Sequence, residues 1–204
     1  MNFPEVEEWV RANLPAPPAR VLEIGAGEGE LARSLRTSGY DTTAIDPKSE
    51  VADVKAIALV DLPQQDDRFD AALAVVSLHH VDPLEASIER LAAALAPGAP
   101  LLVDEFDAVQ LDERAAAWWL EQRRARGDED PETPEELGPK MQARVHSIEL
   151  IVRVLRRWFE IGPLERGTYL YRWRLDESLR PVEEDLVARG ELPLTGVRFV
   201  ARRI

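Results

Sequence analysis

Glu23, the glycines Gly25, Gly27 and Gly29, Asp46, the run Ser77-Leu78-His79-His80, and Glu105 are the residues of this 204-residue chain whose types and spacing suit them to chemistry. Glycines at a turn permit positive φ and let backbone approach a ligand with no Cβ in the way. The stretch Gly25-Ala26-Gly27-Glu28-Gly29 is therefore either a cradle for a nucleoside-type cofactor or an ordinary strand-to-helix turn. Its spacing is GxGxG, not the GxGxxG of the dinucleotide fingerprint. Asp46, followed by Pro47, is either a charged acceptor of strong hydrogen bonds or the first residue of an Asp-Pro turn. Histidine as a residue type suits a general base, which makes His79 and His80 candidates, and Glu105 is a further one. The competing reading of both histidines is local packing. Cysteine is absent, which excludes disulfides, thiolate metal sites and a cysteine nucleophile. Three histidines are few for a metal centre, and none is expected.

Regular elements are needed to bring these groups together. Val21-Leu22-Glu23-Ile24 reads as a strand, Glu28–Ser38 as a helix closed by Gly39, and Tyr40–Ile45 as a second strand ending at Asp46. Lys55–Val60 is a weak third strand, followed by a polar loop over Pro63–Arg68. The apolar run Phe69–Ser77 has the composition of a central parallel strand buried on both faces. Asp82 as N-cap and Pro83 at the first helical position open a helix striped by Leu84, Ile88, Leu91 and Leu95. Pro97-Gly98 ends it, and Ala99–Asp104 is a fifth strand. Such alternation implies right-handed crossovers and a parallel sheet with helices on both faces. Ligands sit beyond the carboxyl ends of such strands, where Gly25–Gly29, Asp46, Ser77–His80 and Asp104–Phe106 fall.

The flanks are less regular. Pro4–Leu14 reads as a leader helix, either packed on the body or a flap presenting Trp9. Leu111–Gly127 is a helix carrying Trp118 and Trp119, and Asp128–Pro139 an exposed acidic loop. Ser147 caps an amphipathic helix to Phe159. Glu160–Leu164 and Thr168–Trp173 alternate like strands, Pro181–Gly190 is helical, and Gly196–Arg203 is a final strand.

Composition sets outer bounds. Hydrophobic residues make up 45% and charged residues 31%, ordinary for a globular protein. No apolar run reaches the roughly 18 residues of a membrane span, and no signal-peptide pattern opens the chain, so a cytoplasmic setting without membrane partners is expected. Residues 1–139 hold 29 acidic and 12 basic side chains, a balance of −17, whereas 140–204 hold 9 and 13, a balance of +4. The acidic body argues against a nucleic-acid partner.

Four motifs in order now resemble the class I S-adenosylmethionine-dependent methyltransferases, with the methyltransferase type 11 branch nearest. They are Glu23-Ile-Gly25-Ala-Gly27-Glu-Gly29, Asp46 at the end of the second strand, Phe69-Asp70 with the Leu78-His79-His80-Val81 closure, and Leu95-Ala-Pro97-Gly98. The resemblance covers about Val21 to Glu105. It implies a Rossmann-like three-layer sandwich with a mainly parallel seven-stranded sheet, the last strand antiparallel. It implies one methyltransferase domain over 1–204: a leader at 1–19, a cofactor-binding half at 20–106, and an acceptor-side half with a helical insertion at 107–204. The implied cofactor is S-adenosyl-L-methionine. Asp46 would bind its ribose hydroxyls, Glu23 its amino-acid end, Gly25, Ala26, Gly27 and Gly29 would wrap it, and Ser77 and Leu78 would line its methionine side. Pro47, Asp61 and Leu62 complete the cofactor set. The family's usual acid for the adenine amino group falls near the apolar Ile57-Ala58, with Asp61 the nearest substitute.

Methyl transfer from a sulfonium needs alignment and exclusion of water, and a base only where the acceptor must lose a proton. His79, His80 and Glu105 are the candidate bases. His146 is expected to be structural. Trp118, Trp119, Tyr169 and Tyr171 are candidate acceptor contacts whose default reading is core, and Arg172 and Arg174 would suit an anionic acceptor. The expected acceptor is a small molecule, and the chain a monomer or homodimer. Rival readings are a protein or RNA methyltransferase, a cofactor-binding module that no longer catalyses, and a dehydrogenase, which the glycine spacing disfavours.

Overall fold

The computed structural model describes residues 4–64 and 67–204. The first three residues of the chain, and Gln65 and Asp66 of the expected polar loop, lie outside the described residues. The chain forms two compact units. One runs to Glu105 and adds Ile148–Leu164 and Arg198–Ile204; the other is Phe106–Ser147 with Glu165–Val197.

In the first unit, α1 (Pro4–Asn13) carries Glu5 and Glu7 at its start and Arg11 at its end, signs that suit the helix dipole. It buries Val6 and Val10. Arg11 binds Glu7 at 2.6 Å and Ser34 Oγ at 3.0 Å, which ties the leader to α2 (Glu30–Thr37). Of the two readings of the leader, packing is the one observed.

The strands are β1 (Arg20–Ile24), β2 (Asp41–Ile45), β3 (Ala71–Val75), β4 (Pro100–Phe106), β5 (Phe159–Ile161), β6 (Glu165–Gly167) and β7 (Gly196–Arg203). They make one seven-stranded sheet in the order β2-β1-β3-β4-β7-β5, with β6 also on β7. β1 is parallel to β2 and β3, and β3 to β4. β7 is antiparallel to β5, and its bonds Gly98 N to Arg203 O and Arg203 N to Ala99 O run it antiparallel to β4 as well. This is the expected Rossmann-like α/β class. Parallel register aligns the carboxyl ends: Ile24 pairs with Ile45 and Ala74, and Val75 with Asp104. The residues that follow each strand therefore share one edge.

Several element bounds differ from expectation for local reasons. α2 starts at Glu30, not Glu28, because Gly27 and Gly29 have φ of 52° and 71°, outside the helical region. The third strand, expected over Lys55–Val60, is reduced to one parallel bridge, Ile45 with Lys55. The connection Asp46–Val54 is too short for the crossover that a parallel strand requires. It packs Val51 and Val54 on Ala32 of α2 instead. α3 (Leu84–Ala94) has Pro83, not Asp82, at its N-cap, with extended backbone.

In the second unit, α4 (Glu113–Ala125) is capped by Asp112, whose carboxylate accepts from Ala115 N at 2.9 Å. The stretch Asp128–Pro139, expected as loop, contributes to α5 (Pro134–Gln142), opened by a Thr133/Glu136 capping box with Pro134 in the first turn. The helix expected over Ser147–Phe159, which belongs to the first unit from Ile148, is α6 (Ile148–Leu155). Thr168–Trp173 is not a strand. Leu170–Arg172 forms a 3-10 turn because the backbone N–H groups of Tyr169, Leu170 and Tyr171 donate to the Glu183 carboxylate of α7 (Arg180–Ala188) at 2.9, 3.0 and 2.8 Å. Glu183 is fully buried. Burial pushes its carboxyl above the usual range, against the pull of those three bonds. Glu183→Ala leaves the three donors without that acceptor, and is expected to cost about 3 kcal/mol or more, since each buried unpaired group costs ~1–3 kcal/mol. Urea unfolding of the variant measures it.

Candidate functional site

The carboxyl edge of the sheet in the first unit holds a cleft of about 250 Å³. Its lining includes Ile24 at the end of β1 and Gly25 after it, Asp46 to Lys48 after β2, and Val76 and Ser77 after β3. Ile57, Ala58, Leu59 and Val81, with His80, Asp82 and Ser87, complete it. The lining thus combines polar groups, Asp46 and His80 among them, with apolar side chains.

The glycine turn is held to β2. Gly25 N and Ala26 N both donate to Ile45 O, at 2.8 and 3.1 Å. Gly25 has φ of 69°, and a Cβ there would stand 2.3 Å from Ser77 Cβ, so only glycine fits between the turns. Asp46 faces this turn. Its Oδ2 accepts from Gly27 N at 3.0 Å and its Oδ1 from Lys48 N at 2.8 Å. The second bond is the local turn that an Asp-Pro step suggests, and the first braces the cradle. Ser49 Oγ adds a bond to Gly27 O at 2.9 Å.

The loop after β3 is strained. Val76 has φ of 52°, a left-handed conformation that a β-branched residue rarely adopts and that costs about 1–3 kcal/mol. Its N–H donates to Asp104 O at 2.7 Å. Ser77 Oγ donates to Ile24 O at 2.8 Å. Glu105, with no exposed surface, takes Ser77 N at 2.9 Å and Leu78 N at 2.6 Å on Oε1. Its Oε2 lies 2.6 Å from His79 Nδ1, within hydrogen-bond distance.

These placements redistribute the candidate bases. His79 is 5% exposed and Glu105 wholly buried with both oxygens engaged, so neither lines the cleft. His80 is exposed and does line it. Its ring centroid is 4.1 Å from that of His79.

Of the expected cofactor residues, Gly25, Asp46, Pro47 and Ser77 line the cleft. Ala26, Gly27 and Gly29 belong to the turn that supports it, and Leu78 is buried beneath it. Asp61 does not reach it. The 3-10 turn Leu59–Asp61 leaves Asp61 exposed and drives Leu62 into the core, and Ile57, Ala58 and Leu59 line the cleft instead. Val76, Val81 and Ser87 were not anticipated. Their sequence signal is faint, because an apolar cleft wall reads like core.

Glu23 lies behind the turn. It is 5% exposed, and burial raises its carboxyl to about 8. The charge of Arg36, a backbone bond from Ala32 in the first turn of α2 and the charge of Arg33 pull the other way. Its Oε2 has no hydrogen-bond partner among the described residues.

The aromatic candidates lie in the second unit. Trp119, Tyr169 and Tyr171 are buried, and Trp118 half-buried. Trp119 stacks on Trp173 at 4.0 Å, and Phe106 stacks on Tyr169 at 5.0 Å. Arg172 lies over the Tyr169 ring at 5.1 Å, and Arg174 is exposed. His146 is half-buried. Among the described residues no group of three or more histidine or carboxylate side chains is gathered as a metal would need, and no helix is long and apolar enough to cross a membrane.

The family model described as "Methyltransferase domain" matches residues 2–133. Over 108 residues the chain is 38% identical to an uncharacterized methyltransferase of Mycobacterium tuberculosis, a match spanning 48% of this chain and 43% of that protein. Over 115 residues it is 32% identical to the ubiquinone biosynthesis O-methyltransferase of Xanthomonas axonopodis, spanning 49% of this chain and 48% of that one. The chain thus spans less than half the length of these curated relatives. In fold it is similar to an S-adenosylmethionine-dependent methyltransferase of Mesorhizobium loti, with a TM-score of 0.63 at 18% identity, covering 97% of this chain and 98% of that one.

Two outcomes are expected of the site before any ligand is added. Gly25→Ala, which drives a Cβ into Ser77, destabilises more than Gly27→Ala, which meets nothing within 4 Å and carries only backbone strain; thermal unfolding ranks them. Glu23 titrates near 4.3 when unfolded and at about 8 when folded. Its contribution is therefore whole below the lower value and is lost as pH rises through the higher, by at most ~1.4 kcal/mol per pH unit. Glu23→Gln is expected to flatten that decline and to exceed the native protein in stability near pH 8, read by urea unfolding across about pH 5 to 9.

Proposed function

This chain belongs to the family of methyltransferase domains, and from that premise we infer that it transfers a methyl group from S-adenosylmethionine to a small-molecule acceptor. The observation that carries the reading is the cleft itself. Its lining offers the Asp46 carboxylate and Gly25 together with the apolar side chains of Ile57, Ala58, Leu59 and Val81. A nucleoside calls for both kinds of contact, with a diol and a flat, weakly polar base.

When bound, the sulfonium donor supplies an activated methyl group for in-line displacement. The residues of this chain hold and orient. Asp46 accepts from the ribose hydroxyls with its remaining lone pairs, as charge-assisted bonds. Glu23 Oε2, with no hydrogen-bond partner among the described residues, would take the donor's ammonium group through water. Ile57, Ala58 and Leu59 cover the base and exclude water from it. His80, exposed on the cleft, takes a proton at a ring nitrogen where the acceptor must lose one. Residues 20–106 hold the donor, and we assign choice of acceptor to 107–204.

A small acceptor fits the charge pattern. A balance of −17 over residues 1–139 opposes a nucleic-acid partner. The one named activity among the relatives above is an O-methyltransferase of ubiquinone biosynthesis. A cytoplasmic setting and a monomer or homodimer complete the reading.

S-adenosylmethionine or its demethylated product is expected to raise the melting temperature, by about 2.7 kcal/mol of added stability at a hundred times Kd, and NAD to leave it unchanged. Asp46→Ala abolishes the shift. A shift with NAD alone would refute the donor assignment. Tight donor binding without turnover over a broad small-molecule panel would favour a silent cofactor module.

A further inference from the structure

We propose that Glu105 is a positioning residue for the donor site, a buried latch that, with His79, holds the loop after β3 in the left-handed conformation that shapes the cleft. The proposal rests on the donor reading above. It starts from an imbalance. Val76 stands at φ of 52°, a conformation its branched side chain opposes, yet it lines the cleft. Nothing in its own sequence favours that turn, since the residue that tolerates it is glycine. The force has to come from its neighbours.

Glu105 supplies it. The first residue after Val76 and the second both point their N–H groups at one oxygen, Glu105 Oε1, at 2.9 and 2.6 Å. Two successive amides converge on a single acceptor only when the backbone between them is curled. The carboxylate is anchored on β4, whose residue Asp104 accepts the Val76 N–H at 2.7 Å. His79 Nδ1 at 2.6 Å fixes the other oxygen and so the plane of the carboxylate. Ser77 is held from the opposite side by its hydroxyl on Ile24 O. The two turns after β1 and β3 are therefore joined through Ser77, and Glu105 sets where Ser77 lies.

Such a latch makes an unusual demand on mutants. Relaxing the latch lets Val76 return to an extended conformation, and the cleft loses shape although the protein stays folded. Replacing Val76 by glycine removes the opposition, so the loop keeps its curl with a weaker latch. Glycine there also deletes a side chain that lines the cleft, and the Val76→Gly single variant measures that effect by itself.

The test is calorimetric binding of S-adenosylhomocysteine to the native protein, Glu105→Gln, Val76→Gly and the double variant, with the fold of each checked by circular dichroism. Glu105→Gln is expected to raise Kd at least tenfold while remaining folded, and adding Val76→Gly to recover most of that loss. Mere loss of stability would show as unfolded protein by circular dichroism, not as a raised Kd in a folded variant. Should Glu105→Gln not fold, His79→Gln keeps the two backbone bonds and is expected to raise Kd by a smaller factor, about threefold. Native-like Kd in a folded Glu105→Gln, or in His79→Gln where that variant stands in, overturns the proposal, as does a double variant no better than Glu105→Gln. Failure of the native protein to bind would refute the donor reading, and the latch's role with it.

Discussion

A Cβ on Gly25 would stand 2.3 Å from the Cβ of Ser77, and the rest of the cleft follows from that approach. Parallel register puts the ends of β1 and β3 side by side, so the two turns leaving them compete for the same space. Glycine resolves the competition on one side by dispensing with a side chain. On the other side the chain accepts strain at Val76, and Ser77 converts proximity into a bond with Ile24 O. The glycines of this motif therefore have two tasks. Gly25 permits turn-on-turn packing, whereas Gly27, with nothing within 4 Å of a built Cβ, leaves its surface open.

Buried acids in this protein are otherwise well supplied with donors. Asp104 meets Arg198 Nε at 2.9 Å, Asp107 pairs with Arg166, Glu105 takes two amides and a histidine, and Glu183 takes three amides. Burying a charge is costly unless donors replace the lost water. Glu23 departs from this pattern. One of its oxygens has no hydrogen-bond partner among the described residues, and desolvation carries its carboxyl to about 8. An apolar residue would pack there at lower cost in the free protein.

Much of the fold is legible from pattern alone. The apolar run over Phe69–Ser77 and the alternation of Gly196–Arg203 mark β3 and β7 because strand burial is written in consecutive residues. The strand-end rule points to Gly25, Asp46, Ser77 and His80, and all four line one cleft. What escaped depends on partners distant in sequence. Leu170–Arg172 alternates like a strand, and becomes a turn only because Glu183 collects its amides. The α5 start was written locally, as Thr133 and Glu136 around Pro134, and was masked by the acids before it. His79 and Glu105 resembled catalytic groups because sequence records charge and not burial.

The burial of His79 and Glu105 bears on mechanism. A donor that is already activated leaves the protein to supply geometry, and misplacement by about 1 Å can cost a hundredfold in rate. Residues that fix backbone position then matter as much as those that exchange protons. Glu105 and His79 sit where a base would be sought, at the end of β4 and in the turn after β3, yet Glu105 is bonded to two amides and His79 to Glu105 itself. His80 alone of the three lines the cleft. The strained loop is braced from β4 through Asp104 O and the Glu105 carboxylate, so the shape of the cleft is set by buried groups and not by the side chains exposed in it.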